Sequence, residues 1–245
     1  MPCCLVGSEM CIRDSLYIII ILICVGFSLY ASSITKSRFK KYSAYTTQSR
    51  MTGAEVAHKI LSDNNIHDVR IERVGGTLSD HYDPRSKSLR LSADVHDRNS
   101  MAAFGIAAHE VGHAIQHAKA YGFLTFRSAW VPVANISSKL SFVVIFIAFM
   151  LGGAHSFAGA TVSWIGVLLF GCTTLFTLVT LPVEFDASSR ALACLQKGNY
   201  VAAKELDGAR KVLNAAAMTY VAAFASSLLM LLYYAFRLGL FGGRR

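Results

Sequence analysis

The sequence predicts an α+β, mostly helical, multi-pass membrane protein with about four transmembrane helices and a polar part carrying a small antiparallel sheet. Three observations predict this. The 245-residue chain is 53% hydrophobic and only 16% charged, where a soluble domain carries roughly 25% charge. Four apolar stretches are long enough to cross a bilayer. Between them lie two polar blocks, the first of which alternates apolar and polar residues over short segments before a helix-periodic run begins.

Residues 1–15 lack any periodicity and read like translated adapter sequence, so they are set aside as a non-native extension. Residues 16–32 form the first transmembrane anchor, built on the apolar run from Leu16 to Ala31. Lys36, Arg38, Lys40 and Lys41 follow it, against Arg13 in front, which puts the next segment in the cytoplasm.

Residues 33–128 form the first polar block. Thr52 and Glu55 make a capping-box pattern ahead of Val56, Ile60 and Leu61, and Asn64-Asn65 ends that helix. Residues 69–74, 77–82 and 88–92 read as extended pieces of an antiparallel sheet, separated by Gly75-Gly76 and by the turn at Asp83-Pro84. A helix from about Ser100 to Ala120 follows, with Gly105 and Gly112 permitting close packing against it. Residues 129–180 form a transmembrane hairpin interrupted by Lys139 and turning at residues 154–157. Residues 181–213 form the second polar block, opening with Pro182 as the start of a new helix. Residues 214–238 are the last span and residues 239–245 a tail.

Two spans separate the polar blocks, so both blocks lie on one side of the membrane. Lys36–Arg127 holds 14 Lys and Arg, Arg190–Lys211 holds 5, and the far side has Arg13, Arg237, Arg244 and Arg245. The positive-inside rule makes that shared side cytoplasmic. The net charge of +9 therefore belongs to the lipid-facing balance. No basic residues alternate with stacking aromatics as a nucleic-acid surface requires. The 6 Cys show no paired spacing, so any metal is held by His and carboxylate rather than thiolate.

His109-Glu110-Val111-Gly112-His113 carries the chemistry. Positions i and i+4 share a helix face, so two imidazoles can hold one ion. Glu110 can take a proton from a water on that ion. His117 continues the series but lies about 12 Å along the axis from His109, beyond the reach of one ion on a regular helix.

A catalytic zinc needs a third protein ligand. Glu184, just past the third span, is one candidate, with Asp186 placed to orient an imidazole. The structural alternative for both is a pair of carboxylates favoured at a helix N-terminus. Asp207, in Glu205-Leu206-Asp207-Gly208, is a rival ligand of the kind used by intramembrane site-2-type proteases. It lies among Lys197, Lys204, Arg210 and Lys211 rather than in an apolar span.

Together, Thr52-Gly53, Leu78-Ser79-Asp80-His81-Tyr82-Asp83-Pro84, Leu91-Ser92 and Ala107 to Gln116 resemble the bacterial membrane-anchored neutral zinc metallopeptidases. So do Leu181 to Phe185 and Ala215 to Ala222. The resemblance spans about residues 16–240. It implies a zincin-like catalytic part, one zinc per chain, and a peptide or protein substrate, membrane proteins included. Likeness to the wider membrane gluzincins favours Glu184 as third ligand. Those often carry Asp four residues later, where this chain has Ser188.

The expected mechanism has His109, His113 and Glu184 on zinc with Glu110 as general base. His81, Tyr82, Tyr121 and Arg190 are candidate donors to the developing oxyanion. Either 88–92 or 77–82 would pair with extended substrate. A non-catalytic membrane scaffold with structural zinc is the alternative. A transporter is disfavoured because the spans carry almost no ionisable residue besides Lys139.

Overall fold

The computed structural model describes residues 3–152 and 156–237. Its elements, in order, are α1 (Cys3–Ser43), α2 (Gly53–Asp63), β1 (Arg70–Val74), β2 (His81–Asp83), β3 (Ser88–Ser92), α3 (Ala93–His96), α4 (Met101–Ala118), α5 (Gly122–Met150), α6 (Phe157–Lys197) and α7 (Ala203–Arg237). Helix α1 continues through the segment set aside above, up to Cys3. Residues 153–155 of the expected hairpin turn and the tail 239–245 lie outside the described residues.

The described chain forms two compact units. The first comprises the residues up to Tyr30, Ala129–Val179 and those from Val221 onward. It holds the apolar parts of four helices that are long and apolar enough to cross a membrane. Their outer faces expose Leu22, Ile136, Leu168 and Phe149, the last at 74%. So much exposed apolar surface suits a hydrocarbon solvent, not water. Two polar contacts link helices inside this unit: the Thr174 and Ser227 hydroxyls lie 2.7 Å apart, and Trp130 Nε1 donates to the Cys172 carbonyl at 3.2 Å. Such bonds hold helices together where lipid supplies no hydrophobic drive between them.

The second unit comprises Ala31–Ser128 and Thr180–Tyr220. Its core gathers Val56, Ile60, Leu89, Leu91, Phe104, Val111, Leu195 and Val212, all nearly fully buried. Burying each such side chain stabilises the fold by roughly 1.5–3 kcal/mol before entropy is counted. The capping box is present: Thr52 Oγ1 accepts from Glu55 N, and Glu55 accepts from Thr52 N. Ser100 Oγ accepts from Ala103 N and so caps α4.

The sheet corrects the antiparallel expectation in part. Its order is β1-β3-β2, with β2 antiparallel and β1 parallel to β3. The chain leaves β1, crosses over residues 75–80, runs back along β2 and reverses into β3. Strand β3 thus lies between the other two in the direction of β1. β1 pairs along all of β3, and β2 pairs with Ser88, Leu89 and Arg90, so β3 is the central strand. The expected strand 77–82 shortens to His81–Asp83 because Leu78 takes a left-handed backbone (φ 56°), unfavourable in a strand.

Pro182 does not begin a new helix; α6 passes through it without a break. Pro removes one intrahelical donor. The stripe Val183, Ala187, Ala191 and Leu195, one residue every turn, is fully buried and holds the helix on course against that loss.

Candidate metal centre

Helix α4 presents His109 and His113 on one face, with ring centroids 4.8 Å apart and planes at 81°. Helix α6 brings Glu184 to them. Glu184 Oε2 lies 3.3 Å from His109 Nε2 and 3.6 Å from His113 Nε2. The candidate ligand atoms of these three residues all fall within 4.8 Å of one another. A tetrahedral zinc with bonds of about 2.0–2.1 Å sets its ligand atoms about 3.3 Å apart, close to the two carboxylate separations.

The close approach of α4 to α6 is written in Gly112. A Cβ there would meet the Ala187 carbonyl oxygen at 2.5 Å. Ala187 sits between Glu184 and Ser188, so glycine at 112 is what lets that face of α6 reach the imidazoles.

Each ring is held from behind. His109 Nδ1 lies 3.1 Å from Ser188 Oγ, and His113 Nδ1 lies 3.0 Å from Gln116 Oε1. In the neutral tautomer that donates Nδ1–H outward, each ring would turn an unprotonated Nε2 towards Glu184, as a metal ligand requires. Gln116 Nε2 donates to Asp186 Oδ2 at 2.7 Å. Asp186 therefore reaches His113 through Gln116 rather than directly. Burial works against charge on the His113 ring, but the Glu184 and Glu110 carboxylates outweigh it and raise its pKa.

Glu184 is 2% exposed, and its Oε2 is buried without a hydrogen bond among the described residues. A buried carboxylate oxygen is costly unless a cation neutralises it. Two imidazole nitrogens and one carboxylate oxygen form a donor set suited to zinc. The residues present therefore fit a divalent ion. The other oxygen, Oε1, faces Arg127 Nη1 at 3.6 Å. Glu110 is buried at 8% exposure and has no hydrogen bond or ion pair to another described residue.

The remaining candidates lie in other contacts. His81 is exposed, with Nδ1 against the Ser79 carbonyl at 2.9 Å. The Tyr82 hydroxyl lies 2.9 Å from His117 Nδ1, and burial pushes that phenol up to about 12. Arg190 Nε donates to Asp186 at 2.5 Å, and its guanidinium lies over the Tyr121 ring at 5.6 Å. Asp207 is exposed and paired with Lys211 at 2.5 Å. It lies outside the His109, His113 and Glu184 cluster, in a solvated i,i+4 ion pair on α7.

Sequence reasoning missed Arg127, Gln116 and Tyr220, whose phenol interacts with the Glu184 carboxylate. Gln116 had a signal, its position three residues after His113 on the same helix face. Arg127 had none, since nothing in its local pattern points to Glu184.

The arrangement defines a candidate His, His, carboxylate metal centre beside a buried glutamate, in a chain with four helices long and apolar enough to cross a membrane. Residues 17–239 match the family described as "Putative neutral zinc metallopeptidase", and the chain belongs to that family. It is 42% identical over 219 residues to "Putative membrane protease YugP" of Bacillus subtilis (strain 168), covering 89% of this chain and 95% of that protein. No solved structure matches it.

Proposed function

We propose that this chain is a membrane-bound zinc metallopeptidase that hydrolyses peptide bonds, with His109, His113 and Glu184 holding one zinc ion and Glu110 as general base. One observation carries the reading: the buried Glu184 Oε2, with no hydrogen bond, aimed between two imidazole Nε2 atoms. When bound, the ion would supply Lewis acidity to the peptide carbonyl and the attacking water. Glu110, next to His109 and without a hydrogen bond among the described residues, would accept a proton from the attacking water and pass it to the departing amine. Arg127 occupies Glu184 Oε1 and leaves Oε2 for the ion. Arg190 is tied to Asp186, so among the four oxyanion candidates it acts by holding Asp186 in place.

The substrate class is a peptide or protein, membrane proteins included, reached from the bilayer that the four helices occupy. The charge balance of the two polar blocks assigns the catalytic side to the cytoplasm. The catalytic part is residues 33–128 with the ligand segment 181–213.

The test is proteolysis of an unfolded protein by detergent-solubilised, zinc-loaded chain, wild type against Glu110→Gln. Glu110→Gln should keep its zinc and lose activity by about 10²-fold or more. Equal activity in the two would reject general-base catalysis by Glu110. Zinc uptake with no proteolysis in either would favour the scaffold alternative.

A further inference from the structure

Gln116 is fully buried on α4, and its amide joins two helices. Its Oε1 faces His113 Nδ1 at 3.0 Å. Its Nε2 donates to the Val183 carbonyl at 2.8 Å and to Asp186 Oδ2 at 2.7 Å, both on α6. Val183 is the residue before Glu184. One side chain therefore touches a candidate ligand on α4 and the backbone beside the candidate ligand on α6.

We propose that Gln116 is a positioning residue that sets the register between the two ligand-bearing helices and holds His113 in the tautomer whose Nε2 faces Glu184. The inference rests on the metal centre proposed above. Its chemical ground is the amide itself. The three contacts need one acceptor, for the imidazole N–H, and two donors, for a carbonyl and a carboxylate. A side-chain amide offers both on one planar group. A carboxylate of the same size offers acceptors only and would face the Val183 carbonyl and Asp186 with no proton between them. An apolar isostere would leave the buried Val183 carbonyl and His113 Nδ1 without this partner.

The direction of the amide is anchored from outside. Asp186 accepts from Arg190, and Arg190 lies over Tyr121. With Asp186 held as an acceptor, the NH₂ end of Gln116 points to α6 and the carbonyl end to His113.

The experiment uses the full chain in detergent and reads metal, not proteolysis. Zinc affinity is measured by chelator competition and the ligand field by cobalt(II) absorption. Gln116→Glu should weaken zinc binding by about 10–100-fold, as loss of a ligand-orienting partner does, and should shift the cobalt bands. Adding Asp186→Asn to Gln116→Glu supplies a donor where Asp186 had none and should recover several-fold in affinity. If Gln116→Glu does not fold, Gln116→Met, an uncharged isostere, must show the same loss. Wild-type affinity and cobalt spectrum in Gln116→Glu or Gln116→Met would overturn the inference alone, as would a double variant no tighter than Gln116→Glu. A wild-type chain that takes up neither metal would overturn the proposed metal centre and this inference together.

Discussion

The Ser188 hydroxyl stands 3.1 Å from His109 Nδ1, one helical turn along α6 from Glu184. One face of α6 thus provides both a candidate ligand and the group behind another. The group behind this imidazole is a neutral hydroxyl. Ser188→Ala should weaken zinc binding by about 10-fold without moving the melting temperature much, since one hydrogen bond contributes only about 1 kcal/mol to stability. Ser188→Asp should keep or tighten binding. Chelator competition checks both, and equal affinity in Ser188→Ala and wild type would count against a role for this contact.

Gly112 tests the helix contact itself. A methyl at this position meets the Ala187 carbonyl oxygen at 2.5 Å, and backbone cannot rotate away as a side chain can. Gly112→Ala should destabilise the second unit by about 1–3 kcal/mol despite alanine's better helix propensity. It should also weaken metal binding by pushing Glu184 away from the rings. Thermal melting and zinc affinity read the two effects, and a Gly112→Ala chain unchanged in both would contradict the packing.

Asp80 gives a pH dependence with a definite sign. Its carboxylate accepts from Ser92 N at 2.7 Å and from Ser92 Oγ at 3.1 Å. Burial raises its pKa more than those bonds lower it, and the nearby Glu110 charge adds to the rise. A folded-state value above the unfolded value of about 3.9 means stability present at low pH and lost as pH climbs through the folded value. Asp80→Asn removes the buried charge and keeps an acceptor for Ser92 N. Its melting temperature relative to wild type should therefore rise between about pH 4 and pH 7. A gap that narrows over that range would contradict the account.

Local chemistry made much of this legible in advance. The Thr52–Glu55 box, the alternation over residues 88–92 and the motif helix each depend on a few neighbouring side chains, and all three stand close to where they were read. Glu184 was legible because two spans return the chain to the polar side. What escaped depends on partners distant in sequence. The parallel pairing of β1 with β3 is decided by the path of residues 75–80, where Leu78 breaks the strand. The run of α6 through Pro182 is decided by four buried residues whose stripe outweighs one missing donor. The contacts of Arg127 with Glu184 and of Gln116 with Val183 cross between helices, and neither partner's local sequence announces the other.

In the proposed centre, Glu184 joins two α4 imidazoles around a single ion. The most direct measurement is the zinc content of purified full-length chain, wild type against Glu184→Ala, after dialysis against a weak chelator. Wild-type chain should hold close to one zinc, and a folded Glu184→Ala little or none. Zinc retained by Glu184→Ala at the wild-type level would contradict it.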